Sequence, residues 1–243
     1  MRKIALLSSF VMLFAFGATS ARAMCPAEVG VLCIFYGGDL DLNDPNQNGL
    51  GNENDAIVGG DPYGAAVYQN FVVISGIQFL DGLATNNLSG LNPATAYWEI
   101  RSGVSEGNGG TLIASGTAPT INQPTGRSDF GFNEYTNYVN LGYPGVTLPP
   151  GTYWMAVVPQ DPGNANRSFN SDTDGLNSVG SQISNEQYFN SAFFGANFTN
   201  ANNEGAFAAF SDSLFVVPEP SSLILLGSGL VAIAGIVRRR VRK

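Results

Sequence analysis

Apolar residues in the central part of the chain come in short runs or at every second position, with almost none of the three-to-four spacing of a helix. Phe71-Val72-Val73-Ile74 and Ile77-Gln78-Phe79-Leu80 are two such runs, broken by Ser75-Gly76. Ala96, Trp98 and Ile100 alternate with Tyr97, Glu99 and Arg101, as in a strand with one face buried. Thr111–Ala114 and Gly151–Val158 predict further strands, and the segments Phe189–Phe198 and Phe207–Val216 predict the last ones. Between them lie turn-forming clusters: Gly107-Asn108-Gly109-Gly110, Leu148-Pro149-Pro150-Gly151 and Asp161-Pro162-Gly163-Asn164. Short strands joined by such turns predict an all-β fold, a single β-sandwich of jelly-roll type over residues 24–216. No repeat of solenoid or propeller length interrupts that pattern.

The two ends carry different signals. Arg2 and Lys3 precede the apolar run Ile4–Ala18, and Ala21-Arg22-Ala23 supplies small residues at Ala21 and Ala23 for cleavage by signal peptidase. Residues 1–23 therefore predict a signal peptide; the run is short for a membrane helix and breaks up from Gly17 to Ser20. At the other end, residues 217–243 read Val217-Pro218-Glu219-Pro220, then an apolar stretch over 221–237, then the basic cluster Arg238, Arg239, Arg240, Arg242 and Lys243. Seventeen residues make a helix about 26 Å long, enough to cross a locally thinned hydrocarbon core. The cations behind it stay cytoplasmic by the positive-inside rule, which places the body outside.

This tail resembles the PEP-CTERM sorting signal in its motif, spacing, helix and basic end, over about the last 27 residues. The resemblance implies a substrate of exosortase, a membrane-embedded cysteine protease that cuts near Pro-Glu-Pro. It also implies a bacterial host that makes exopolysaccharide or biofilm. The protein would be held in the inner membrane by its C-terminal helix and reach the cell surface or the extracellular space after processing. The competing reading is an ordinary tail anchor. The segment Val146–Trp154, with Tyr97-Trp98-Glu99-Ile100, is similar to bodies found ahead of such tails and to other bacterial extracellular sandwich domains.

Composition narrows the chemistry. Charged residues are 12% of the chain, and its 243 positions hold no His. That excludes Ser-His-Asp and Cys-His catalysis and the usual catalytic zinc sites. Between Met24 and Val217 three arginines (Arg101, Arg127 and Arg167) face 18 acidic residues, a net charge of −15. Such a body repels phosphate backbones, which argues against nucleic-acid partners.

Four groups of residues are candidates for a role. Cys25 and Cys33, the only cysteines, predict a disulfide in an oxidising compartment, worth about 2.5 kcal/mol by loop closure. Asp44, Asn46, Asn48, the Leu50 carbonyl and Asp55 follow calcium-loop spacing, with calcium as the ligand. Gly51 at the eighth position and Asp rather than Glu at the twelfth depart from that pattern, and a turn-rich loop is the competing reading. Trp98 and Trp154 are candidate stacking platforms for sugar rings, against a role in the core. Glu99, Glu134 and Glu186 are the carboxylates that could serve hydrolysis, though no spacing pairs them.

These signals describe an exported cell-surface or matrix protein, structural or adhesive and non-enzymatic. A carbohydrate-binding module acting on exopolysaccharide is the first alternative, and a carboxylate-dependent glycosidase the second. Intact mass of the form released from cells is expected to show loss of residues 1–23 and of the tail beyond the Pro-Glu-Pro motif. Released protein that still carries Arg238–Lys243 would mean a permanent anchor.

Overall fold

The computed structural model describes residues 33–42, 50–56, 64–74, 78–142, 144–163, 166–182, 184 and 186–211. The signal peptide, Cys25, the first three calcium-loop positions and the whole sorting tail lie outside these. Among the described residues the chain is all-β, in agreement with its alternating pattern, and no helix there is long and apolar enough to cross a membrane.

In chain order the strands are β1 Cys33–Tyr36, β2 Leu50–Glu53, β3 Ala66–Val73, β4 Gln78–Leu80, β5 Gly82–Ser89, β6 Thr95–Ser102 and β7 Thr111–Asp129. They continue with β8 Phe132–Asn140, β9 Val146–Leu148, β10 Gly151–Gln160, β11 Ser168–Ser171, β12 Tyr188–Ser191, β13 Ala196–Asn200 and β14 Phe207–Phe210. All pairings are antiparallel, and the main sheet runs β1-β14-β5-β8-β7-β6-β10-β3-β12-β13, with β11 joining β5 to β2.

One strand turns this sheet into two layers. The first half of β7 pairs with β6, from Thr111↔Ser102 to Pro119↔Thr95. Its second half pairs with β8, from Thr120↔Val139 to Asp129↔Phe132. Within each layer β7 is thus an edge, which lets it carry Pro119 and Pro124 without breaking a ladder on its open side. A strand that passes from one layer to the other is a recognised way to close a sandwich corner.

The main core lies between the layers. Leu83, Val139, Phe207 and Ala209 from one layer meet Val67, Phe71, Trp98, Ile100, Met155 and Val157 from the other. The small β4–β9 ribbon adds Leu80 and Leu148 at its margin. The layers are also covered on their outer sides. Tyr68, Trp154, Tyr188 and Phe198 form a second cluster, and Tyr36, Ala84, Ala208 and Phe210 a third. Burial on both faces explains why β10 reads as a continuous apolar run rather than a strict alternation.

The strand expectations are met at β3, β4, β6, β7 and β10. The segment Phe189–Phe198 divides into β12 and β13 around a turn at Ala192–Gly195. Two long strands have no apolar signature: β5 (GLATNNLS) is buried throughout, and β8 (FNEYTNYVN) carries buried Glu134, Thr136 and Asn137. Asn is unfavourable in strands unless its amide is paired. In β5 it is: Asn87 Nδ2 donates to Ser168 Oγ at 2.7 Å, and Asn86 Oδ1 accepts from Thr136 Oγ1 of β8 at 2.8 Å; just beyond β2, Asn54 Nδ2 donates to the Val157 carbonyl at 2.9 Å.

Phe71 is 0% exposed, with its ring centroid 6.0 Å from Phe35 and 5.9 Å from Tyr153. Phe71→Ala is expected to lower stability by about 3–5 kcal/mol in denaturant titration of the full chain. Ile74→Ala, at a position 73% exposed just beyond β3, is expected to change it by less than about 0.5 kcal/mol. Equal midpoints for the two variants would remove Phe71 from the core.

Candidate functional site

All three arginines of the body are paired with buried glutamates. Arg101 Nε donates to Glu99, Arg127 Nε donates to Glu134 at 2.5 Å, and Arg167 Nε donates to Glu53 at 2.5 Å. The glutamates are 2%, 0% and 5% exposed, so each carboxylate would be strongly unfavourable there without its partner. Glu99 also accepts hydrogen bonds from Tyr97 at 2.6 Å and Tyr68 at 2.9 Å. Arg101 lies over the rings of Phe198 and Tyr68, 5.3 and 5.8 Å from their centroids. Arg127 reaches Asp39 as well, at 3.2 Å.

Burial works against the charge on Arg101 and Arg127, but the hydrogen bond and field of Glu99 and Glu134 more than offset it, and both guanidiniums are held above their ordinary value. The Tyr36 phenol is pushed up by burial and by its 2.6 Å hydrogen bond to Asp39. Because its folded value is raised, the stability it lends is complete below the ordinary tyrosine value of 10.0 and is lost as pH rises through the higher one.

These pairs bear on the candidate carboxylates. Glu99 lies with the Tyr68 cluster, and Glu134 with the Tyr36 and Asp39 group on the other layer. The two therefore do not flank a common substrate position. Glu186 is distinguished by its main chain: its carbonyl accepts from Trp154 Nε1 and from Asn70 Nδ2, both at 3.1 Å.

The tryptophan expectation is corrected. Trp98 and Trp154 are 8% and 5% exposed, so neither presents a ring face to solvent. Trp98 is packed in the main core under β7, where a Cβ on Gly116 would come within 3.1 Å of its indole. Trp154 belongs to the outer cluster beside Tyr188. With both faces of its layer covered, alternation places each indole against protein whichever way it points.

The calcium-loop expectation is described only at its later positions, Asp44, Asn46 and Asn48 lying outside the described residues. Its seventh to tenth positions form strand β2, paired with β11 through Leu50↔Ser171 and Glu53↔Phe169, rather than a loop wrapped around an ion. Asp55, at the twelfth position, is 0% exposed and accepts a hydrogen bond from Ser168 N at 3.0 Å, with Arg167 Nε 3.9 Å away. Its carboxylate is turned into the protein. Among the described residues no group of three or more acidic, Cys or His side chains is placed to hold a metal. Cys33 is disulfide-bonded.

An open cleft of about 470 Å³ lies where β2 meets the β12–β13 hairpin. Asn52, Thr199, Asn200 and Asn203 line it along with Phe189 and Phe194, and none of its lining residues is charged. Phe189 packs against the main core, and Phe194 sits over it with ring centroids 6.0 Å apart. Phe193 meets Phe194 edge to face at 5.0 Å. The turn that carries them is held by Gly195 N donating to the Ala192 carbonyl at 3.3 Å and by Ser191 Oγ donating to the Gly64 carbonyl at 2.7 Å. Gly195 has φ +68°, a left-handed conformation that suits glycine there. The sequence reading missed this site; the signal available was two adjacent Phe residues just before a Gly, within a segment expected to be strand.

Residues 216–242 match the PEP-CTERM protein-sorting motif. That motif marks an exported protein sorted by exosortase, as the Pro-Glu-Pro tail implies. No curated protein and no solved structure matches the chain.

Arg127→Met leaves Glu134 buried without its cation and is expected to cost roughly 3–5 kcal/mol in chemical denaturation. Arg127→Met combined with Glu134→Leu is expected to recover most of that loss. A double variant no more stable than the single one would show that the packing of Arg127, rather than its charge, is what the fold needs.

Proposed function

We propose that this is a non-enzymatic structural or adhesive protein of the bacterial cell surface or extracellular matrix, with exopolysaccharide as its partner. The observation that carries the reading is the sorting motif at residues 216–242, which directs the chain to the envelope. The character of the body supports it. Its arginines are tied to buried glutamates, its acidic excess suits a soluble extracellular domain, and its chain is rich in Asn, Ser, Thr and Gly rather than in charged residues. On this reading signal peptidase removes residues 1–23, the helix over 221–237 holds the chain in the inner membrane, and exosortase releases the body.

The absence of His across the sequence, and Glu99 and Glu134 each paired with an arginine, favour binding over hydrolysis. Deleting the gene is expected to weaken matrix cohesion, read as biomass retained under shear. Adding the purified protein to exopolysaccharide is expected to leave polymer chain length unchanged. Undiminished retention in the deletion strain would overturn the adhesive role, and a falling chain length would establish an enzyme.

A further inference from the structure

The geometry points to the cleft beside the β12–β13 turn as a binding site for a neutral glycan, with Phe194 in its lining and Phe193 next to it as two separate stacking rings. This rests on the surface-protein reading above and gives it a site and a ligand class.

The turn itself needs only Gly195, whose positive φ closes it. Its two central positions are ordinarily polar, yet they hold Phe193, 62% exposed, and Phe194, 48% exposed. Neither ring is part of the core clusters among the described residues. They are nevertheless held in place: Phe194 lies against Phe189, which is seated on the core, and Phe193 is set edge-on to Phe194. A rigid aromatic surface in water stacks on the apolar C–H face of a pyranose at small conformational cost.

A sugar also needs partners for its hydroxyl groups, each at once donor and acceptor. Side-chain amides and hydroxyls answer both needs. The cleft offers Asn52 and Thr199, whose side chains make no hydrogen bond to a described residue, beside Asn200 and Asn203. Asn203 is braced by Nδ2 donating to Asp172 Oδ2 at 2.8 Å, and Asn200 by its main-chain N–H donating to Glu106 Oε2 at 2.6 Å. A volume of about 470 Å³ falls within the range of sites for small ligands.

Charge decides between classes of glycan. No cation lines the cleft, and all three arginines of the body are held by glutamates elsewhere. A uronate or sulfated polymer would meet a body of net charge −15 with nothing to neutralise it. A neutral polymer meets no such penalty, and its binding is expected to vary little with salt.

The test is native affinity electrophoresis of the full chain in detergent, through gels containing dissolved β-glucan, dextran, mannan or galactan, with alginate as the anionic comparison. Retardation is expected in at least one neutral polymer and none in alginate. Phe194→Ala and Phe193→Ala are each expected to weaken it about tenfold, the loss of one stacking contact. Phe194→Trp should preserve binding, and Phe130→Ala, at an exposed position elsewhere, should leave it unchanged. Unaltered melting temperatures in the alanine variants separate lost binding from lost fold. Migration unaffected by every neutral polymer overturns the proposal, as does retardation that survives both alanine variants or is equal in alginate. Self-association dissolved by Phe193→Ala, without glycan retention, also overturns it and makes the rings a contact between copies. The surface role fails on a different measurement, the shear retention of the deletion strain, so the two failures are distinguishable.

Discussion

A carboxylate buried in a β-sandwich needs a cation beside it, and the body of this chain has three. Each is paired with a buried glutamate: Arg101 with Glu99, Arg127 with Glu134, Arg167 with Glu53. Two of the pairs stand on the outer sides of different layers, where they tie cover segments to the sheet. Arg101 lies under Phe198 of β13, and Arg127 draws in Asp39, which in turn accepts from Tyr36. The third joins β2, Asp55 and the start of β11. The ion pairs alone are modest contributors to stability, but removing either partner leaves a buried charge.

The same economy of cations shapes the surface. With every body arginine paired to a glutamate, the exterior has acidic and amide groups but no unpaired body cation with which to attract an anionic partner. Recognition must then use shape, apolar contact and neutral hydrogen bonding. The cleft at the β12–β13 turn has those three qualities, and its position follows from the fold. Among the described residues β13 pairs only with β12, and β12 only with β3 and β13, so the hairpin lies at the end of the sheet, and its turn leaves Phe193 and Phe194 exposed.

The amide-rich interior is the second device that holds the layers. Asn54, Asn86, Asn87 and Asn170 are all buried, and their amides connect strands that a wholly apolar core would join only by packing. Asn87 reaches both Ser168 Oγ and the Asn54 carbonyl, linking β5 to β11 and to the chain beyond β2. Directional bonds of this kind specify register as well as adding stability. They also explain how a chain with 12% charged residues can bury so many polar side chains.

What the sequence determined by itself is local. Period-two alternation and Gly/Pro turns made the all-β class legible, because a strand's side chains must alternate whatever it later meets. The Pro-Glu-Pro motif, apolar stretch and basic end of the tail were legible because a membrane and a protease read them as linear signals. What only the tertiary structure decided is which faces are covered. Trp98 and Trp154 alternate with their neighbours as a half-exposed strand would, but the main core takes Trp98 and a second cluster on the outer face buries Trp154. β5 and β8 were illegible because their strand character rests on amide partners far away in the chain. The stretch from Asp44 to Asp55 has the spacing of a metal loop, yet its Leu50–Glu53 part pairs with β11 in the sheet, and Ser168 and Arg167 take the Asp55 carboxylate. Phe193 and Phe194 look like strand residues in sequence, and a turn closed by Gly195 turns them outward. Spacing along the chain records what neighbours within an element do; cover, partner and exposure are set by segments a hundred residues away.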